Sequence, residues 1–222
     1  MADMKIIEVK QSIFANNDAD AEKLRSQLKE EKTFLLNVMS SPGSGKTSTL
    51  IHTVNTLSKE FRIGVMEADI DSDVDARTIA KKTPAKTIQL HTGGMCHLDA
   101  DMTRQGLKEL GTKEIDLAIL ENVGNLVCPA EFDTGASKNV MILSVPEGHD
   151  KPLKYPLIFT VCDALIINKI DVLPYFDFDM DKVKEYAQMR NPRLKIFPIS
   201  AKTGEGMDKW CDWLADEVKA WI

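Results

Sequence analysis

The stretch Ser41-Pro42-Gly43-Ser44-Gly45-Lys46-Thr47 decides the fold. It follows the apolar run Phe34-Leu35-Leu36-Asn37-Val38-Met39 and opens a helix-forming segment, Ser48 to Lys59. A glycine-rich turn between strand and helix aims several backbone N–H groups into one concavity, and the helix dipole adds positive potential there. Gly43, Ser44, Gly45, Lys46, Thr47 and Ser48 are therefore expected to cradle a triphosphate. Lys46 would reach the β- and γ-phosphates as a catalytic cation, and the Thr47 hydroxyl would ligate Mg²⁺. The usual pattern begins with a glycine where this chain has Ser40.

Asn168-Lys169-Ile170-Asp171 ends a second apolar run, Ala164-Leu165-Ile166-Ile167. A carboxylate at Asp171 accepts from guanine N1–H and the exocyclic amine; adenine has no such donors on that edge, so Asp171 would go unpaired against it. The Lys169 stem lies along the base, and Asn168 braces the loop. Ser200-Ala201-Lys202 follows a further strand and would present the Ala201 N–H to guanine O6. Order and distance together favour GTP over ATP.

Outward from these motifs, the chain alternates strand and helix patterns. Strands are predicted at 34–39, 62–67, 86–90, 116–120, 140–145, 164–167 and 194–197. Helices are predicted at 48–59, 75–82, 97–110, 181–189 and 208–222, and the charged stretch Asn16 to Lys32 has one narrow apolar face. Pro152 and Pro156 leave 155–161 ambiguous. The pattern implies an α/β, three-layer P-loop NTPase fold, with a mostly parallel central sheet and helices on both faces. Residues 1–32 read as an N-terminal helical segment and 33–222 as a GTPase domain. Ligands should gather at the carboxyl ends of the strands, where every motif falls.

Asp69-Ile70-Asp71-Ser72-Asp73-Val74-Asp75 follows the second strand. Its carboxylates repel one another unless a cation or donors offset them. Asp69 is expected near Mg²⁺ and Asp75 to orient the attacking water. Glu121-Asn122-Val123-Gly124 closes another strand. Glu121 would bind Mg²⁺ through water, and Gly124 would donate its N–H to the γ-phosphate. Loss of that phosphate would release both loops.

The 222 residues suit one domain, and 43% hydrophobic content is ample for a core. A net charge of −6 argues against broad nucleic-acid binding. No apolar run is long enough for a membrane span, and Met1 to Lys10 has no signal-peptide core, so a cytoplasmic protein is expected. The four cysteines read as thiols or metal ligands rather than a disulfide framework. Cys96 and His97 are adjacent after Thr92-Gly93-Gly94-Met95, and Cys128 lies just past Gly124. Two thiolates and an imidazole suit Zn²⁺ or Ni²⁺. Cys162 and Cys211 read as packing residues, and His52, His91 and His149 as structural or exposed.

Thr92-Gly93-Gly94-Met95-Cys96-His97-Leu98-Asp99-Ala100, with Glu121 to Ala130 and Glu147-Gly148-His149-Asp150-Lys151-Pro152, resembles the HypB family, GTPases that assist nickel insertion into [NiFe]-hydrogenase. The resemblance runs from about Thr33 to the C-terminus. It implies a dimerising P-loop class that includes signal-recognition GTPases, with a GTP-promoted homodimer. It also implies a metal site from Cys96, His97 and Cys128 near a twofold interface, with Asp75 as the switch aspartate and Asp69 near magnesium. The implied partners are a HypA-type nickel-binding maturation protein and the hydrogenase large-subunit precursor. Some members carry an N-terminal Cys-x-x-Cys-Gly-Cys site or a histidine-rich nickel store. Here the first cysteine is Cys96 and there are only four histidines, so neither role is expected. A chaperone for another nickel enzyme, such as urease, and a metal-buffering protein with weak GTPase activity stay open. An ATP-dependent small-molecule kinase ranks behind both.

Overall fold

A computed structural model describes residues 5–8, as backbone, and 17–222. Asn16 and most of Met1 to Lys10 lie outside the described residues. Eight strands form one sheet: β1 (Lys5–Glu8), β2 (Phe34–Ser40), β3 (Ile63–Asp69), β4 (Lys86–His91), β5 (Leu117–Glu121), β6 (Lys138–Ser144), β7 (Ala164–Asn168) and β8 (Lys195–Pro198). Their order is β1-β4-β3-β5-β2-β6-β7-β8, and every neighbouring pair is parallel. The seven strands expected from the sequence are all present. β1 is additional and pairs with β4 at the sheet edge.

Parallel strands need crossovers, and helices supply them on both faces. They are α1 (Asn17–Glu30), α2 (Lys46–Leu57), α3 (Val74–Lys82), α4 (Ala100–Leu110), α5 (Cys128–Glu131), α6 (Lys151–Lys154), α7 (Pro156–Val161), α8 (Met180–Arg190) and α9 (Met207–Trp221). Strand alternation divides the core. Phe34, Leu36 and Val38 pack with Leu50 and Val54 of α2 and with Trp210 and Leu214 of α9. Leu35 faces the other way, toward Leu24 and Leu28 of α1 and Met102 of α4. Met39 and Met141 pack there against Phe159 of α7 and Val183 of α8. Trp210 Nε1 donates to Thr53 Oγ1 at 2.9 Å, locking α9 to the helix that follows the phosphate loop.

The helix expected to start at His97 instead starts at Ala100. The Asp99 carboxylate accepts the Met102 N–H at 2.8 Å, so Asp99 is the cap and Cys96-His97 lies in the preceding loop. Pro156 resolves the ambiguous 155–161 stretch by sitting in the first turn of α7, where its missing N–H is harmless.

A nucleotide-binding cleft beside a thiol pair

Central strand β2 has β5 on one side and β6 on the other, and the phosphate loop leaves its carboxyl end. Gly45 caps α2 at φ 96°, a left-handed conformation that favours glycine. A Cβ there would lie 2.4 Å from Asn168 Nδ2. Ser40 has taken over a structural role: its hydroxyl accepts from Ser44 Oγ at 2.7 Å and from Lys46 Nζ at 3.0 Å. Ser41 Oγ bonds Glu147, whose other oxygen accepts the Ser144 N–H and hydroxyl.

The Asn-Lys-x-Asp segment is wired to this loop. Asn168 Nδ2 donates to Ser44 O at 2.9 Å, and Lys169 Nζ to Gly43 O at 2.7 Å. Lys169 sits at φ 65°, an uncommon conformation for a non-glycine residue and one that recurs where strain serves a site. Asp171 Oδ1 accepts from Ser200 Oγ at 2.6 Å, which aligns the carboxylate. The Ala201 N–H, expected to meet guanine O6, donates to Asn168 Oδ1 at 3.1 Å. Lys202 and Ser48 are exposed at the rim. Gly124 comes against the phosphate loop: a Cβ there would lie 3.1 Å from Pro42 Cγ.

A cleft of about 690 Å³ lined by Lys46, Thr47, Glu67, Asp75, Glu121 and Gly124 holds the acidic centre. One oxygen each from Glu67, Asp75 and Glu121 lies within 4.8 Å of the others. Thr47 Oγ1 donates to Glu121 Oε1 at 3.3 Å. Glu67 and Glu121 are register partners on β3 and β5, and each keeps a buried oxygen without a hydrogen-bond partner. Burial, reinforced by the facing Glu121, pushes the Glu67 carboxyl up to about 8. Burial also raises Glu121 to about 7, against the pull of Lys46. Orphaned carboxylate oxygens beside a hydroxyl fit a hard divalent cation such as Mg²⁺.

Asp69 also lines the cleft but stands outside this closest carboxylate group; its Oδ1 accepts the Asp71 and Ser72 N–H groups at 3.0 and 2.8 Å, holding its own loop. Glu67, which sequence reasoning missed, stands within the group. Its signal was a lone carboxylate inside the buried strand Ile63-Gly64-Val65-Met66, where a charge needs a partner. Asn122, on the cleft wall, is tied into the sheet: its Nδ2 donates to Asn37 Oδ1 at 3.1 Å, and Asn37 Nδ2 to Asn139 Oδ1 at 2.9 Å, spanning β2 and β6.

Cys96 and Cys128 are neighbours, and the facing Cys128 thiol, with burial, holds the Cys96 thiol above its ordinary value. His97 Nδ1 is 4.0 Å from Cys96 Sγ. The imidazole stacks on Phe132 at 3.7 Å, and burial pushes its pKa down. Its Nε2 is buried without a partner. Among the described residues, Glu67, Asp75 and Glu121 form the one group of possible ligands that converges within 4.8 Å; Cys96, His97 and Cys128 do not converge so closely in a single chain. Two thiols and an orphaned ring nitrogen remain a donor set suited to Zn²⁺ or Ni²⁺. Cys162 and Cys211 are buried packing residues.

A strand–loop–helix phosphate cradle with a carboxylate group at the strand ends defines a P-loop nucleotide-binding protein. Residues 6–198 match the family described as CobW/HypB/UreG, nucleotide-binding domain. The chain is 44% identical over 220 residues to the hydrogenase maturation factor HypB of Rhizobium leguminosarum bv. viciae, covering 99% of this chain and 73% of that one. It is 40% identical over 221 residues to the hydrogenase/urease maturation factor HypB of Helicobacter pylori, covering 98% and 89%. The crystal structure of HypB from Helicobacter pylori in complex with nickel superposes with a TM-score of 0.86 at 38% identity, covering 93% of this chain and 96% of that one. This chain belongs to the HypB family.

Proposed function

We propose that this protein is a GTP-hydrolysing metallochaperone that supports nickel delivery into [NiFe]-hydrogenase. The observation that carries the reading is the closeness in sequence of two chemistries: Gly124, against the phosphate loop, and Cys128, whose thiol neighbours Cys96. GTP binds across Gly43 to Thr47, with Asp171 reading the guanine edge. Mg²⁺ is held by Thr47 and Glu121, with Glu67 and Asp75 completing the acidic shell. Asp75 orients the attacking water and Lys46 offsets the charge that develops on the phosphates.

Nickel is the cargo, carried by Cys96, His97 and Cys128, with a second copy of the chain completing its coordination. Exposed Ile70 and Val127, on the loops beside the phosphate and thiol sites, and Val74 at the start of α3 support a GTP-promoted homodimer. A HypA-type protein and the hydrogenase large-subunit precursor are the partners in this reading. The 40% identity to the hydrogenase/urease factor favours one second reading, service to urease as well.

The test is a nickel titration with sedimentation, in GDP and in a non-hydrolysable GTP analogue. The two forms are expected to differ in nickel affinity by about fivefold or more and in dimer fraction. Equal values in both would remove the coupling. GDP, but not ADP, is expected to displace a labelled guanine nucleotide.

A further inference from the structure

We propose that Asn17 and Arg25 on α1 are positioning residues for the Cys96, His97 and Cys128 metal site, joining the two loops that carry its ligands. The inference rests on the metal-site assignment made above. Asn17 uses both ends of its side-chain amide. Its Oδ1 accepts the Ala100 N–H at 2.9 Å, and its Nδ2 donates to Asp133 O at 3.0 Å. Ala100 opens α4, so its N–H has no partner within that helix. The Asp99 side chain satisfies the Met102 N–H, and Asn17 reaches from another helix to satisfy the Ala100 N–H. One side chain thus grips the chain three residues after His97 and one residue after Phe132, the ring on which His97 stacks.

Arg25, two turns along the same face of α1, repeats the grip. Its Nη2 donates to both Asp133 oxygens, at 2.9 and 2.7 Å, and Nε donates to Ala136 O at 3.0 Å. Two nitrogens of one planar guanidinium on separate acceptors fix direction as well as distance. Asp133 Oδ1 also accepts the Gly135 N–H at 2.8 Å, so the carboxylate is held from both sides. On the other side of Cys128, Asn125 Oδ1 accepts the Val127 N–H at 2.8 Å. The Cys128–Phe132 segment, α5 and its exit, is therefore pinned locally at one end and by α1 at the other. Without α1, His97 and Phe132 lose their common tether.

The test measures nickel and GDP affinity side by side in the full chain carrying Asn17→Ala and Arg25→Ala together. Nickel is followed by its thiolate charge-transfer absorption. Nickel affinity is expected to fall about tenfold, the usual effect of removing groups that orient metal ligands, while GDP affinity holds. An unchanged nickel affinity overturns the proposal. Cys128→Ala runs alongside: if that variant binds nickel as the parent does, the metal-site assignment itself fails. If the double variant loses GDP binding as well, the parent protein decides. Coupling is reciprocal, so saturating nickel is expected to slow amide exchange across Asn17–Glu30. Protection of the Cys128 loop with none in α1 overturns the proposal without any substitution.

Discussion

Glu67 and Glu121 face each other where β3 and β5 end, each with an oxygen that nothing among the described residues satisfies. Glu67 holds its proton up to about pH 8, against 4.5 for an ordinary glutamate. Below 4.5 both folded and unfolded chains carry that proton. Between 4.5 and about 8 the unfolded chain has released it and the folded chain retains it, so the stability present at low pH drains away as pH rises through the window. In EDTA, the melting temperature is expected to fall across that range, and Glu67→Gln should flatten the slope. Matching slopes in the two proteins would refute the assignment. Mg²⁺ should also flatten it in the parent by offsetting the two carboxylates. The phosphate loop and the Asn168–Asp171 and Ser200–Lys202 segments were legible as motifs because each sits at a strand end at fixed spacing. Glu67 was not, because the run of aspartates beginning two residues later advertises the same charge more loudly. From sequence, a carboxylate inside the converging group and one that ties its own turn, as Asp69 does, look alike.

Element boundaries followed from hydrophobic pattern to within a residue or two, since strands buried on both faces read as short apolar runs. The exceptions are instructive. β1 is only four residues long and gives no period to recognise. α4 begins three residues later than expected because Asp99 offers a better cap than the preceding loop. Another helix start makes a testable point. Gly206 opens α9 at φ 72°, and a Cβ there would lie 2.3 Å from Pro198 O, at the end of β8. Alanine is the better helix former, yet Gly206→Ala is expected to destabilise the protein by about 2 kcal/mol or more, because the backbone contact cannot yield. Denaturant unfolding checks this; a neutral or stabilising effect would mean that α9 can shift off β8.

Across the whole molecule, the parallel sheet gathers every motif onto one rim, although the phosphate loop and Asn168 are over a hundred residues apart. The wiring of the nucleotide cleft runs through Ser40, Asn168, Lys169 and Ser200, and none of its hydrogen bonds passes through α5. Cys128→Ala is therefore expected to abolish nickel binding while leaving GTP affinity within about twofold of the parent. Retained nickel binding, or a parallel loss of GTP, would contradict that separation. The rim was legible from sequence, but its cross-links were not: the Asn37, Asn122 and Asn139 ladder and the grip of α1 on the segments around Ala100 and Asp133 join residues with no shared pattern along the chain. All three tryptophans, Trp210, Trp213 and Trp221, lie on α9, and Trp210 is bonded to the helix behind the phosphate loop. The protein's ultraviolet emission is thus an inbuilt gauge of how α9 packs, a native optical signal on the face of the sheet away from Cys96 and Cys128.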